Sequence, residues 1–190
     1  KLEKKKSYPI AVLIDKGSAS ASEILAGAMK EAGGYALIGE TTFAKGTVQQ
    51  AVPMDDGSNI KLTLYKWLTP EGNWIHGDGI KPTVAISQPA LFDTHPLVIE
   101  ETLKQDMAGD QIGFAQQMLK NLGYDPGRTD GYYDLKTEIA VKAFQSAEGL
   151  KVTGNINKKT AAKLEEEVVE EIRDDDNDMQ LKAAIRYLQK

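Results

Sequence analysis

"YPIAVLIDKGSASASEILAGAMKEAGGYALIGE", residues 8–40, decides the fold. "YPIAVLID" is a short apolar run ended by Asp15, Lys16 and Gly17, and it reads as a buried strand. In "ASEILAGAMKEAGG", Ile24, Leu25, Ala28 and Met29 recur at helical spacing, and Gly33 and Gly34 stop the helix. "YALIGE" (35–40) reads as a second strand. Strand, helix and strand within about thirty residues is the length of a βαβ crossover. "GSASASEI" (17–24) then lies where a strand's carboxyl end feeds a helix, the place where α/β folds put active sites. Ser20 and Glu23 also stand in the S-x-x-E relation of a capping box, so a purely structural reading uses the same atoms.

Outward from this unit the pattern changes twice. "VQQAVPM", "NIKLTLYKWLT" and "NWIHGDGI" are β-rich and joined by turns at "DDGS" and "PEGN", which predicts hairpins. "QPALFDTHPL" (88–97) carries two prolines and a shift in composition, as expected of a connection. Beyond it, "DQIGFAQQMLKNLGY" places Ile112, Ala115, Met118, Leu119 and Leu122 on one helical face and ends at Gly123. "LKTEIAVKAFQSAEGL" turns Ile139, Ala140, Ala143 and Phe144 inward, and "NKKTAAKLEEEV" makes a third helix of a small bundle. An acidic run follows, a solvated helix end or linker, and "DMQLKAAIRYLQK" is an amphipathic helix that needs a packing partner in the first domain or in another chain. The expected fold is α/β, with domains at 1–92, 110–168 and a tail at 169–190, and a connection over 93–109.

The 190 residues contain no cysteine and two histidines, His76 and His95. Disulfides, thiol nucleophiles and thiolate metal sites are excluded, and the two distant histidines suggest neither a metal centre nor a Ser/His triad. A formal charge of −5 argues against a general nucleic-acid surface. The opening "KLEKKK" reads as a solvated loop, and a start without methionine is expected of a piece of a longer chain.

"GETTFAKGTVQQ" (39–50) combines glycines with a lysine and a threonine. A phosphate-binding loop needs G-x-x-x-x-G-K-[ST]; from Gly34 the pattern reaches Gly39 but then gives Glu40 in place of lysine, so the nucleotide reading fails. Lys45 is left, flanked by Phe43 and Val48. A serine hydroxyl needs a base, and a lysine in its neutral form is one that requires no histidine. Gln49, four residues on, shares the face of Lys45 whether the segment is helical or extended, so its amide oxygen can accept from the lysine nitrogen.

"GSASASEI", "GETTFAKGTVQ" and "LTPEGNWIHGDGIKPTV", in this order, resemble the C-terminal processing (tail-specific) proteases, serine peptidases of Ser/Lys/Gln type. The resemblance implies that Ser20 is the nucleophile, Lys45 the base and Gln49 its orienting partner. It also implies supporting roles for Glu23 and Thr42, and the Ala21 backbone amide as an oxyanion donor. No cofactor is implied. One departure is Ala44, where the family commonly has glycine. Over residues 8–86 the implied fold is the carboxyl half of a core related to crotonases and caseinolytic proteases. A Ser/Lys pair suits acyl transfer to water better than enolate chemistry, which disfavours an acyl-CoA enzyme on such a fold. The family's substrate-capturing PDZ domain and upstream oxyanion glycine are not found in residues 1–190, so an N-terminal segment is expected to complete the enzyme, and this stretch alone is expected to be inactive.

"AQQMLKNLGYDPGRTDGYYDLKTEIAVKAFQSAEGLKVTGNINKKTAAKL" resembles the type 1 peptidoglycan-binding domain, a three-helix module. Leu119, Phe144 and Leu164 are expected in its core, and Arg128, Tyr132 and Tyr133 near the turn are candidate contacts to the cell wall. Protease, module and acidic tail together resemble sporulation members of the protease family, which implies a homodimer, a protein or peptide substrate and an extracytoplasmic location in the bacterial envelope or intermembrane space. The alternative is a catalytically incomplete fragment that binds the cell wall or dimerises.

Overall fold

A computed structural model describes residues 6–189; the "KLEKKK" loop reading falls, apart from Lys6, outside the described residues. The chain divides into two units, one of residues 1–87 and 179–190 and the other of residues 88–178. This differs from the expected boundaries: the division falls at 87/88 and 178/179, and the last segment belongs to the first unit.

In the first unit, β1 (Ala11–Ile14) leads into α1 (Ala21–Gly27), which continues as a π-helical turn over Ala28–Ala32 and stops at Gly33. β2 (Ala36–Gly39) returns parallel to β1, with Ala11 opposite Ala36 and Ile14 opposite Gly39. A two-residue β5 (Val84–Ala85) adds in parallel on the other side of β2. β2 is buried along its whole length, as the central strand of a parallel sheet requires. β3 (Thr47–Pro53) and β4 (Asn59–Lys66) form a separate antiparallel hairpin, with a register shift between Val48 and Gln49. Ile14, Ala26, Leu37, Ile75 and Ile80 make the core, with Val12 and Trp67 packed on it.

Two expectations fail here. "NWIHGDGI" is no strand but a pair of tight turns in which Asp78 and Gly79 amides donate to the Ile75 carbonyl; Gly77 and Gly79, at φ 85° and 69°, reverse the chain. Along α1 the buried residues are Glu23, Ala26 and Gly27, whereas Ile24 and Leu25 are exposed. The helix turns its polar glutamate inward because that carboxylate has partners there.

The second unit holds α2 (Asp110–Asn121), α3 (Leu135–Ala147) and α4 (Lys158–Arg173). Ile112, Ala115, Met118, Leu119, Phe144 and Leu164 lie in its core as read from the sequence, but Ile139 is exposed and so is Ala143. The buried face of α3 is Thr137, Ala140, Val141, Phe144 and Gln145, and two of these are polar because they are hydrogen-bonded. Gln116 Nε2 donates to Tyr132 O (2.8 Å) and Thr137 Oγ1 (2.9 Å) while its Oε1 accepts from Gly131 N. Gln145 repeats the arrangement, donating to Asn155 O (2.8 Å) and Thr160 Oγ1 (3.1 Å) and accepting from Gly154 N. Asp134 and Asn157 then cap α3 and α4 through the amides of Thr137 and Thr160. "DGYYDLKT" and "TGNINKKT" are thus two copies of one turn. α4 runs past residue 168, so the acidic run begins as helix.

α5 (Met179–Leu188) packs on β1 and β2 of the first unit and buries Gln180 and Ala184 there, whereas Ile185 is exposed, so its apolar face is covered only in part. Among the described residues no helix is long and apolar enough to cross a membrane.

Candidate active site

The loop from β1 to α1 is folded on Asp15, whose Oδ1 accepts from Gly17 N (3.0 Å) and Ser18 Oγ (2.8 Å). It delivers Ser20 at φ 55° and ψ −110°, outside the regions a serine ordinarily occupies. A strained residue between a strand and a helix is the geometry that presents a nucleophilic hydroxyl, and strain of this kind concentrates at functional sites. Ala21, the first residue of α1, has no carbonyl four residues back inside the helix to take its amide.

Glu23 joins this junction to the lysine loop. Of the capping-box pair, the glutamate's half meets hydrogen-bond geometry: Ser20 N donates to Glu23 Oε2 at 2.9 Å. The same carboxylate accepts from Lys45 N (2.9 Å) on Oε2 and from Ala44 N (2.7 Å) and Thr42 Oγ1 (2.6 Å) on Oε1. Four donors match the roughly four lone-pair sites of a carboxylate, so Glu23 is saturated although it is completely buried. Burial pushes its carboxyl up, but the Thr42 hydroxyl and the amides of Ser20, Ala44 and Lys45 together hold it below the ordinary value. Thr42, itself buried, passes the restraint on by accepting from Ile80 N at 2.8 Å.

The structure therefore brings Ser20, Glu23, Thr42 and Lys45 into one bonded set. The Lys45 side chain is half-buried and takes part in no ion pair among the described residues. Ala44 sits at φ 77°, which gives the physical reason for a glycine at this place. Gln49 does not join the set: its side chain is exposed and its Nε2 lies 3.4 Å from Thr63 Oγ1 across the hairpin. Spacing by four does not give a common face here, because Lys45 and Gly46 precede β3 and the ladder shifts between Val48 and Gln49.

Two tryptophans were not singled out by the sequence. Trp67 Nε1 donates to Lys45 O (3.1 Å), and Trp74 Nε1 donates to Gly46 O (2.9 Å). Trp74 is stacked on His76 with ring centroids 5.3 Å apart and has Lys66 Nζ 5.2 Å from its ring centre. Gly46 is needed for this approach, since a Cβ there would lie 2.8 Å from His76 N. The sequence signal was the pair of large aromatics within a polar hairpin region, where they cannot all be core.

In the second unit Tyr133 is fully buried and donates its hydroxyl to Gly154 O at 2.6 Å, which removes it from the candidate wall contacts. It faces inward because the next residue, Asp134, caps α3. Arg128 and Tyr132 are at the surface, but both are engaged. Arg128 bonds Asp130 (2.6 Å), stands 3.7 Å from Asp134 and lies over the Tyr132 ring, whose hydroxyl donates to Asp106 (2.9 Å). The Arg128 guanidinium holds the Asp130 carboxyl down at about 2. Among the described residues no cluster of His, Asp and Glu could hold a metal.

Residues 1–86 match peptidase family S41, and residues 108–164 match the peptidoglycan binding domain family. The chain is 56% identical over 187 residues to the carboxy-terminal processing protease CtpB of Bacillus subtilis (strain 168), covering 98% of this chain and 39% of that protein. It is 44% identical over 188 residues to CtpA of the same organism, covering 99% of this chain and 40% of that one. A photosystem II D1 C-terminal processing protease structure superposes with a TM-score of 0.41 at 41% identity, over 43% of this chain and 21% of that one. The chain thus spans about two fifths of the length of these curated relatives. Over residues 1–86 the chain is thus similar to peptidase family S41, and over residues 108–164 to the peptidoglycan binding domain family.

Proposed function

We propose that the protein containing this chain is a serine endopeptidase of the C-terminal processing type. The observation that carries the reading is the strained Ser20 at the β1–α1 junction, tied through one buried carboxylate to the amide of Lys45. Ser20 Oγ attacks the scissile carbonyl carbon while Lys45 Nζ, as general base, takes the hydroxyl proton, then gives it to the leaving amine. Water adds to the acyl-enzyme with Lys45 again as base, and the proton returns to Ser20 Oγ as the acid leaves. The Ala21 amide receives the oxyanion. Gln49 orients Lys45 in the working enzyme by exchanging its long contact with Thr63 for one to the lysine. The core is of crotonase and caseinolytic-protease type, and an N-terminal PDZ segment presents the substrate.

In the full-length protein, Ser20→Ala and Lys45→Ala are each expected to abolish cleavage of a peptide substrate while preserving the fold. Retained cleavage in either variant refutes the dyad. The match of residues 108–164 favours a second, concurrent role in which this unit docks the protease on peptidoglycan of the bacterial envelope. Sedimentation with purified peptidoglycan tests the docking, and its absence leaves the unit a structural insertion.

A further inference from the structure

We propose that Trp67 and Trp74 are positioning residues for Lys45, a role that rests on the Ser20/Lys45 reading above. A peptide segment in a loop has no ladder to hold it, so the partners of its amides and carbonyls decide how sharply its side chain is aimed. The Lys45 segment is held from both sides. Glu23 takes the N–H groups of Ala44 and Lys45, and the indoles take the next two carbonyls, Lys45 O from Trp67 Nε1 and Gly46 O from Trp74 Nε1. Trp67 N adds a second donor to Gly46 O at 3.2 Å. An indole suits this role because it donates and never accepts, so it cannot turn to compete for the carboxylate's donors. Each ring is itself braced: Trp67 packs on the apolar core of the first unit, and Trp74 has the His76 ring stacked on it and the Lys66 ammonium over its ring. The half-exposed Trp74 is therefore kept for its N–H, not for apolar burial.

The experiment replaces each tryptophan in the full-length protein by 3-benzothienylalanine, which keeps the bicyclic shape and deletes the N–H, and in parallel by phenylalanine. Ser20 is titrated with a fluorophosphonate, whose phosphorus bonds Ser20 Oγ as fluoride leaves and Lys45 takes the proton. Labelling amplitude reports the folded fraction, and the rate constant at saturation reports how well the base is placed. The expected result is a fall in rate constant of about 10- to 100-fold for the benzothienyl variants, with amplitude and half-saturating probe concentration unchanged. A rate within twofold of the parent overturns the proposal. So does a loss of amplitude at normal rate, which is a structural role only. The phenylalanine variants must slow in the same order if the lost N–H is the cause. Lys45→Ala separates the two levels: labelling at the parent rate refutes the dyad, whereas loss of labelling there with parental rates in the tryptophan variants refutes the positioning role alone.

Discussion

Glu23→Gln alters one atom in the middle of the bonded set. An amide offers one oxygen where the carboxylate offered two, so two of the four donors meet an NH2 group in place of an acceptor. The better orientation puts the nitrogen toward Thr42 and Ala44. The Thr42 hydroxyl can rotate and accept, because Ile80 N uses only one of its lone pairs, so the Ala44 amide alone is left facing a donor. One buried unsatisfied amide costs about 1–3 kcal/mol, and the two surviving amide bonds lose their charge assistance, for a total of about 2–4 kcal/mol. Both tryptophans of the chain lie in the first unit, so tryptophan fluorescence during urea unfolding reports that unit separately from α2–α4. The variant is expected to lower its midpoint and to speed hydrogen exchange at Ala44 and Lys45. Because the folded carboxyl is held below its ordinary value, its stabilisation is fully present above the unfolded value of about 4.3 and is lost as pH falls through the lower folded one. The parent should therefore lose stability more steeply than the variant below about pH 4. A variant within 0.5 kcal/mol of the parent, roughly the ordinary scatter of surface substitutions, with unchanged exchange at both amides, would refute the clamp.

Ala44→Gly is expected to raise the melting temperature of the first unit by relieving the φ of 77°, a gain of about 0.5–1 kcal/mol after glycine's own entropy; an unchanged or lower value contradicts the strain. Gln145→Leu strands the Thr153 and Gly154 amides and should destabilise the second unit by about 3 kcal/mol, seen as loss of helical ellipticity at lower urea. Tyr133→Phe removes a buried hydroxyl bond worth about 1–2 kcal/mol and should leave peptidoglycan sedimentation unaltered; reduced sedimentation with an intact fold would restore Tyr133 as a wall contact.

Local patterns carried a large part of this molecule. The apolar runs at 11–14 and 36–39 with a helix between them specify a parallel pair, and the glycines at 34, 123 and 149 end their helices where no side-chain pattern alone would. The serine triplet and the distant lysine could also be singled out as candidates, because so few residue types in this chain can serve as a base. Tertiary structure decided what those residues touch. Glu23 reads as a capping residue, but 19 to 22 positions later the chain returns to saturate it, a path set by β2 and the turn at Ala44. Gln49 illustrates the reverse, since a single bulge in β3 defeats a spacing rule that holds only in a regular element. Tyr132 and Tyr133 are adjacent and chemically alike, yet one is at the surface and the other fully buried. Sequence periodicity states which residues face alike within an element. Which donors and acceptors meet depends on how the loops between elements run, and those contacts are fixed only when the whole chain has closed around them.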